Sequence, residues 1–238
     1  MRHIHLATVL TLALSAPAVL AQDPVATLPD AYKLQFENDW VKVVRVHLAP
    51  GVKLASHSHP AAMLAYVYLN DAEPVVFRHD HGPGTITRPA VKARSYRLSR
   101  GMVETHAIEN TSSGASDYLR VEFKTQGSAS IRRRGAAPPL KTDNAAEIEL
   151  TNDQMRITRL TIGAGKTMEL QTTATEPALL VAVTDAQLTV ARGSSMDLSL
   201  KAGQDHWLDT RQREAISNTG KTAIEFLRFD FLTAPKPK

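Results

Sequence analysis

The sequence of 238 residues contains no cysteine, and this absence excludes disulfide scaffolds, thiolate metal sites and cysteine nucleophiles. Aromatic residues make up only 5% of the chain and form no ladder of the kind that stacks nucleic-acid bases. The formal net charge of +4 is modest for this length, so charge gives no reason to expect a nucleic-acid partner. What remains is an ordinary globular composition, with 43% hydrophobic and 22% charged residues, sufficient for one large domain or two small ones.

Two motifs of common enzyme classes are also missing. The chain has no Gly-x-Ser-x-Gly nucleophile elbow and no glycine-rich phosphate loop ending in Lys-Ser/Thr. The sequence therefore gives no support to a serine-hydrolase or nucleotide-dependent function.

A short apolar run lies near the start of the chain. Arg2, His3 and His5 precede the run Leu6–Leu14, and small residues follow it as far as Ala21. These are the three parts of a secretory signal, whereas a bilayer span needs about 20 apolar residues. We expect residues 1–21 to be a cleaved signal peptide and the mature protein to be periplasmic or secreted, with an uncleaved anchor as the alternative. No other segment has transmembrane length, so we expect no stable membrane insertion.

The remainder of the chain contains an internal sequence repeat with two copies. Three pairs of segments align in register, namely Asn38–Gly51 with Asn152–Gly165, His106–Thr111 with Glu214–Thr219, and Leu119–Phe123 with Leu227–Phe231. The second copy is shorter around Arg78–Gly84, where glycine and proline are typical of a hairpin tip. Because the period is far longer than one supersecondary unit, the pattern indicates a duplicated domain rather than a solenoid.

Each copy reads as a series of short strands. Runs rich in β-branched and apolar residues predict strands at Val41–Leu48, Leu64–Leu69, Val75–Phe77, Tyr118–Phe123, Met155–Ile162, Leu179–Val183, Gln187–Val190, Met196–Leu200 and Phe226–Phe231. Turn-forming residues separate these runs and no long helical period appears, so we expect an all-β protein of sandwich or barrel type.

The repeat and the proline-rich segment between its copies divide the chain into domains. We expect an N-terminal barrel over residues 35–125 and a C-terminal barrel over 147–232, followed by a tail over 233–238. Residues 126–146, which hold the cluster Arg132–Arg134 and two adjacent prolines, have the composition of a solvated linker.

Histidines are concentrated in the first copy. His57 and His59 are two residues apart, so in a strand both imidazoles face the same side. Two neutral imidazoles can hold a transition metal when a third ligand arrives from another strand, and His106 is the candidate for that ligand. The pair His79 and His81 precedes a Gly-Pro-Gly turn, and we interpret it as a solvated hairpin tip.

These residues also carry a family resemblance. The spacing Gly51-x5-His57-x-His59 resembles the first motif of the cupin superfamily, and His106-x3-Asn110 resembles the core of the second. The resemblance covers both copies and implies a bicupin made of two small jelly-roll barrels.

The resemblance further implies a metal site. In cupins the matching histidines bind a divalent transition metal, commonly iron, manganese, zinc, nickel or copper. The implied ligands in this chain are His57, His59 and His106. By analogy with other cupin-like barrels, which often associate through sheet edges, a homodimer is also expected.

The sequence departs from the cupin pattern at one ligand. The glutamate that usually follows the second histidine by about four residues is replaced by Met63. If Met63 pointed inward, its thioether beside imidazoles would favour copper. Glu104 lies two residues before His106 and could share its face, and Glu104 and Tyr66 are the accessory residues to test as acid or base.

The second copy serves as an internal control. At the positions of the three histidines it has Gln171, Thr173 and Glu214, while Asn110 is matched by Asn218. The fold therefore does not require the imidazoles, and we expect the second barrel to be metal-free. The shared asparagine is expected to support a turn.

Two functional hypotheses follow from these observations. The first is an exported bicupin that binds a metal in its N-terminal barrel and acts on a small organic molecule by oxygenase, isomerase or lyase chemistry. The alternative is a non-catalytic bicupin that binds a small ligand or serves as a scaffold. We expect a small-molecule ligand or substrate as the partner, and no nucleic acid.

Overall fold

The computed structural model describes residues 23–99, 103–127 and 134–237. The predicted signal peptide, as well as Arg132 and Arg133 of the predicted linker, lies outside these residues.

The first half of the described chain forms one short helix and a series of strands. The helix α1 (Pro24–Thr27) begins after Asp23, whose side chain accepts a hydrogen bond from the Val25 N–H. The strands are β1 (Tyr32–Glu37), β2 (Val41–Leu48), β3 (Lys53–His59), β4 (Leu64–Tyr68), β5 (Val75–His79), β6 (Thr85–Arg88), β7 (Tyr96–Ser99), β8 (Glu104–Glu109), β9 (Ser116–Phe123) and β10 (Arg134–Gly135).

The second half repeats this order of strands. They are β11 (Ala145–Thr151), β12 (Met155–Ile162), β13 (Thr167–Gln171), β14 (Ala178–Ala182), β15 (Ala186–Arg192), β16 (Ser194–Leu200), β17 (Asp205–Leu208), β18 (Arg213–Asn218) and β19 (Ile224–Phe231). The predicted strands are all present, and their observed ends differ from the predicted ones by two residues or fewer.

Each half folds into two sheets. In the first half, a six-stranded sheet in the order β1-β2-β9-β4-β7-β10 is accompanied by a four-stranded sheet in the order β3-β8-β5-β6. The second half has a five-stranded sheet, β11-β12-β19-β14-β17, and a four-stranded sheet, β13-β18-β15-β16. All pairings among the described strands are antiparallel. The all-β prediction of two tandem jelly-roll barrels is confirmed, and we call them the first and second barrel.

The repeat is visible in matched turn contacts. Asn110 and Asn218 are both buried, and each donates from Nδ2 to three backbone carbonyls: those of Leu48, Ala49 and Gly114 for Asn110, and those of Ile162, Gly163 and Thr222 for Asn218. The expected turn-supporting role of this asparagine is therefore seen in both copies.

The segments between and after the barrels make backbone contacts of their own. Strand β10, which lies within the predicted linker, pairs with β7. Near the C-terminus, the Lys236 N–H donates to the Lys124 carbonyl at 2.8 Å, and the Gln126 N–H donates to the Ala234 carbonyl at 3.0 Å. These contacts attach the linker and the C-terminal tail to the barrels.

A single apolar cluster joins the two barrels. It is formed by buried side chains from the larger sheet of each barrel, among them Val43, Leu119 and Phe123 of the first and Met155 and Phe229 of the second. We call it the shared cluster. Residues of alternate parity on the same strands point the other way, into the barrel interiors, because successive side chains of a strand face opposite sides.

The interiors of the two barrels differ in polarity. The second is filled by aliphatic side chains and Phe226. The first combines apolar residues with tyrosines 32, 66, 68 and 118, and its lining also includes buried histidines. None of the helical segments in the described part of the chain has the length and apolar character needed to cross a bilayer.

Candidate metal centre

Three imidazoles meet on the inner face of the first barrel. Strands β3 and β8 are neighbours, and their register places His57 opposite His106 and His59 opposite Glu104. All three histidine side chains are buried, with exposures of 5%, 2% and 1% in chain order. A register shift between Leu54 and His57 marks a bulge, a feature that re-aims side chains next to functional sites.

The three histidines lie close enough to share one ion. Their ring centroids are 4.9 Å apart for His57 and His59, 4.9 Å for His57 and His106, and 5.2 Å for His59 and His106. One nitrogen from each ring lies within 4.8 Å of those of the other two. Small ring rotations would bring such nitrogens to the roughly 2.0–2.1 Å that an imidazole–metal bond requires.

Hydrogen bonds define the tautomer of His57. Its Nδ1 lies 2.9 Å from the Ala55 carbonyl oxygen, and because a carbonyl can only accept, Nδ1 carries the proton. The neutral ring therefore presents a lone pair at Nε2, which accepts a hydrogen bond from the Tyr32 hydroxyl at 3.0 Å. Donation from the second ring nitrogen to a backbone carbonyl is the arrangement that orients metal-binding histidines.

The other two histidines have ring nitrogens without partners. His59 Nε2 and His106 Nδ1 are buried and make no hydrogen bond within the described residues. Buried polar atoms are nearly always paired in folded proteins, so unpaired ones require an explanation. Two such nitrogens in a cluster of three buried imidazoles fit a site for a cation that accepts nitrogen ligands.

Burial keeps these imidazoles neutral. It lowers the pKa of His57 and His59 and brings that of His106 from 6.5 to about 2, with nearby positive charges adding to the effect. Neutral imidazole is the form that binds metal ions, so the rings are ready to act as ligands near neutral pH.

Two further ligand-type residues extend the cluster. His79 lies opposite His106 on the other neighbouring strand, β5, with the two ring centroids 5.3 Å apart. His79, Glu104 and His106 form a second group of ligand atoms within 4.8 Å of one another. Glu104 Oε2 is 3.8 Å from His106 Nδ1, so Glu104 places a carboxylate beside the imidazoles.

The position of His79 differs from the sequence interpretation. His81 does lie in the exposed turn, but His79 is the last residue of β5 and is half-buried. The alternation of Val75, Phe77 and His79 along one strand was the available signal, since the first two are buried. The prediction of a solvated tip was therefore wrong for His79.

The remaining accessory candidates, Tyr66 and Met63, lie on opposite sides of the sheet because one has an even and the other an odd position in the chain. Tyr66 is buried in the interior of the first barrel with Leu64 and Tyr68. Met63 has the opposite parity and packs in the shared cluster with Ala65. The expectation that Met63 could present its thioether to the histidines is therefore corrected, since its side chain lies on the other side of the sheet.

The corresponding place in the second barrel is filled by protein contacts. Glu214, which matches His106, accepts hydrogen bonds from His206 Nε2 at 2.8 Å and from Gln212 Nε2 at 2.9 Å. Arg228 donates to the Gln171 carbonyl at 2.8 Å. Both Glu214 carboxylate oxygens thus have partners.

Comparisons with known proteins place the fold. Neither protein-family models nor curated protein sequences give a match, whereas solved structures do. The pirin YhhW from Escherichia coli, solved in complex with nickel(II), superposes with a TM-score of 0.59 at 14% identity, covering 86% of this chain and 91% of YhhW.

Two enzymes share the same architecture. Oxalate decarboxylase OxdC from Bacillus subtilis superposes with a TM-score of 0.55 at 11% identity, covering 90% of this chain and 72% of OxdC. A salicylate 1,2-dioxygenase from Pseudaminobacter salicylatoxidans gives 0.53 at 10% identity, covering 81% of this chain and 71% of that one. At such identities the similarity establishes the fold alone, and this chain has the same architecture of two tandem jelly-roll barrels as these proteins.

Proposed function

We propose that the first barrel binds one divalent transition metal through His57, His59 and His106, with Glu104 as the adjacent carboxylate. The observation that carries this proposal is the convergence of three buried, neutral imidazoles whose ligand nitrogens lie within 4.8 Å of one another. The unpartnered nitrogens of His59 and His106 and the tautomer of His57 support it. Proteins of the same fold have been solved with nickel(II) and studied for their manganese(II) centres.

The ligand chemistry narrows the metal without choosing one. Imidazoles suit zinc, copper, iron and nickel, and a carboxylate adds manganese to this set. A copper preference based on Met63 has lost its basis because Met63 packs in the shared cluster.

We propose further that the metal site acts on a small organic molecule. A divalent ion held by three side chains would supply a Lewis acid or a binding position for dioxygen, which is compatible with oxygenase, decarboxylase or isomerase chemistry. Of the chain's own residues, Tyr32 places its hydroxyl oxygen 3.0 Å from His57 Nε2. Because burial raises the pKa of Tyr32, this hydroxyl stays protonated and would act near the site as a hydrogen-bond donor.

Export of the mature protein is part of the same proposal. It rests on the basic, apolar and small-residue pattern of residues 1–21. Intact-mass measurement of protein from the periplasm and medium should give a chain beginning at Gln22, whereas a full-length chain would contradict cleavage.

Metal analysis tests the site directly. Untagged protein should contain about one equivalent of metal per chain, and the double variant His57→Ala/His59→Ala should contain almost none. The matched control is Gln171→Ala/Thr173→Ala, which alters the equivalent positions of the second barrel and should leave the metal content unchanged. Equal metal content in the histidine variant would refute the site, and metabolite binding that persists with chelator would favour the non-catalytic alternative.

A further inference from the structure

A group of arginines surrounds one buried tyrosine in the first barrel. The guanidinium carbon of Arg97 lies 4.1 Å from the centroid of the Tyr66 ring, that of Arg88 lies 5.0 Å away, and that of Arg120 lies 5.7 Å away. Arg88 also stacks over Phe77 at 4.0 Å. Tyr66 is only 2% exposed, so these cations converge on the barrel interior.

Nearby carboxylates balance only part of the positive charge of these arginines. Arg120 forms an ion pair with Glu122, with 3.1 Å between Nε and Oε1. Arg88 and Arg97 form no salt bridge within the part of the chain that the structure describes, although Glu104 lies within electrostatic range of Arg88. Both residues are half-buried, and two guanidinium groups held against aromatic rings without a carboxylate partner leave N–H donors for an anion.

Unpartnered polar atoms lie at the same place. Nη2 of Arg97 and the hydroxyl of Tyr66 are buried and have no hydrogen-bond partner in the described residues. The Nε–H of Arg97 reaches the Tyr68 hydroxyl only at 3.4 Å. Donors are therefore available where the cations converge.

Arg88 lies beside the histidine cluster. Phe77 connects the two groups, since its ring is 5.2 Å from that of His106 and carries the Arg88 guanidinium on its face. A cavity of about 30 Å³ lies next to Arg88 and is lined in part by Tyr66, Phe77, Arg88 and Glu73, whereas Arg97 and the three histidines are not among its lining residues. A space of this size accepts only a few atoms, so the anionic group must be small.

The second barrel again provides the comparison. The strand pairings match Arg88 with Leu198 and Tyr66 with Leu180, and both leucines belong to an aliphatic interior. Arg228, the match of Arg120, is retained together with its own carboxylate partner, Asp230. The copy without the histidines thus keeps the paired arginine and lacks the unpaired Arg88.

We propose that Arg88 and Arg97 bind the carboxylate group of a small organic acid, next to the histidine cluster. A guanidinium presents two parallel N–H donors that match a carboxylate in geometry, and the aromatic walls favour an organic anion. The claim that this carboxylate belongs to the substrate rests on the proposed function. The binding of a carboxylate by the arginines can be tested without metal.

Acetate and acetamide form the probe pair, because they share shape and differ in charge. Calorimetric titration into chelator-treated and metal-loaded protein, at constant ionic strength in chloride-free buffer, should detect acetate and not acetamide. The variant Arg88→Leu introduces the residue of the second barrel and should weaken acetate binding by roughly tenfold or more. Arg78→Leu, on the same hairpin but half-exposed and paired with Glu109, is the control and should change it by less than about twofold.

The outcomes separate this inference from the metal proposal. Equal binding of acetate and acetamide, or unchanged acetate binding in Arg88→Leu, overturns the carboxylate site even if the protein holds metal. Arginine-dependent acetate binding in a protein that takes up no metal leaves the carboxylate site standing and removes the metal. Should Arg88→Leu fail to fold, Arg97→His, which introduces the residue of the second barrel at that position, His206, gives the same test.

Discussion

The two barrels share one frame, by which we mean the arrangement of strands and turns, and they differ in the side chains that fill their interiors. The frame recurs in the order of strands and in the buried asparagines, Asn110 and Asn218, that hold matching turns. The first interior carries histidines, arginines and tyrosines, whereas the second has an aliphatic core and a buried Glu214 that is paired within the barrel. The comparison teaches that the sheets do not need the polar residues, so a role outside folding has to account for them.

The difference extends to hydrogen-bond satisfaction. In the second barrel, Glu214 occupies the place of His106 and has partners on both carboxylate oxygens. In the first barrel, His59, Tyr66, Arg97 and His106 each keep a buried polar atom without one. Each such atom costs about 1–3 kcal/mol, and natural proteins tolerate such costs mainly at functional sites.

The sharpest test makes the first barrel resemble the second. The variant His57→Gln/His59→Thr/His106→Glu carries the residues of the second copy and should lose at least about 100-fold in metal affinity, since the three proposed imidazole ligands are gone. Metal affinity is measured by competition with a chromophoric chelator. Circular dichroism should still report a folded all-β protein, and retention of tight metal binding would contradict the proposed ligand set.

Acid should destabilise the first barrel through the same residues. Burial lowers the pKa of His57, His59 and His106 below the ordinary 6.5, so below that pH the unfolded chain binds protons that the folded protein does not. The stability of metal-free protein should be full above about pH 6.5 and should fall as the pH drops, by up to about 1.4 kcal/mol per pH unit for each histidine. Urea unfolding at several pH values measures this.

The control for the acid effect is the pair Gln171 and Thr173, which stand at the equivalent positions of the second barrel and carry no ionisable group. Gln171→Ala/Thr173→Ala should keep the pH dependence of the wild type, whereas His57→Gln/His59→Thr should reduce it. A pH profile that the histidine variant leaves unchanged would mean that other groups govern acid unfolding.

The matched asparagines test whether the frame is equally important in both copies. Asn110→Ala and Asn218→Ala each remove a buried donor from three backbone carbonyls, and each should lower the free energy of unfolding by about 1–3 kcal/mol. Denaturant titration of both variants checks this. A large loss in one copy and none in the other would contradict the equivalence of the frames, and metal content should survive in Asn218→Ala.

The smallest expected effect concerns Tyr32. Its hydroxyl occupies the His57 lone pair at 3.0 Å, so Tyr32→Phe removes a competitor worth about 1 kcal/mol and should tighten metal binding by roughly fivefold. Tyr68→Phe is the control, because Tyr68 contacts Arg97 and should leave metal affinity unchanged. Weaker binding in Tyr32→Phe would instead assign the hydroxyl a supporting role at the metal.

Much of the frame could be predicted because it follows local rules. The repeat fixed the correspondence between the copies, and runs such as Met155–Ile162 coincide with strand β12 to the residue. His57, His59 and His106 were accessible to sequence reasoning because two of them alternate along one strand and the third is part of a second recognisable motif. The structure brings these three together.

The rest depends on contacts between distant strands. Composition placed His79 beside a turn, and only the pairing of β5 with β8 brings it to His106. Arg88, Arg97 and Arg120 come from three strands and have no sequence spacing in common. The side of the sheet on which Met63 lies could not be predicted either, because a residue just before a strand can face either side until the start of the strand is known.

The shared cluster has a consequence for how such a protein can evolve. In a homodimer of single barrels, every substitution would appear in both subunits, so neither could lose its site alone. Here the two halves of that arrangement are covalently joined and held by one common core. The second barrel can therefore lose its site and serve only to stabilise the first, which keeps a destabilising polar interior. The chain is in effect an asymmetric dimer encoded as a single polypeptide.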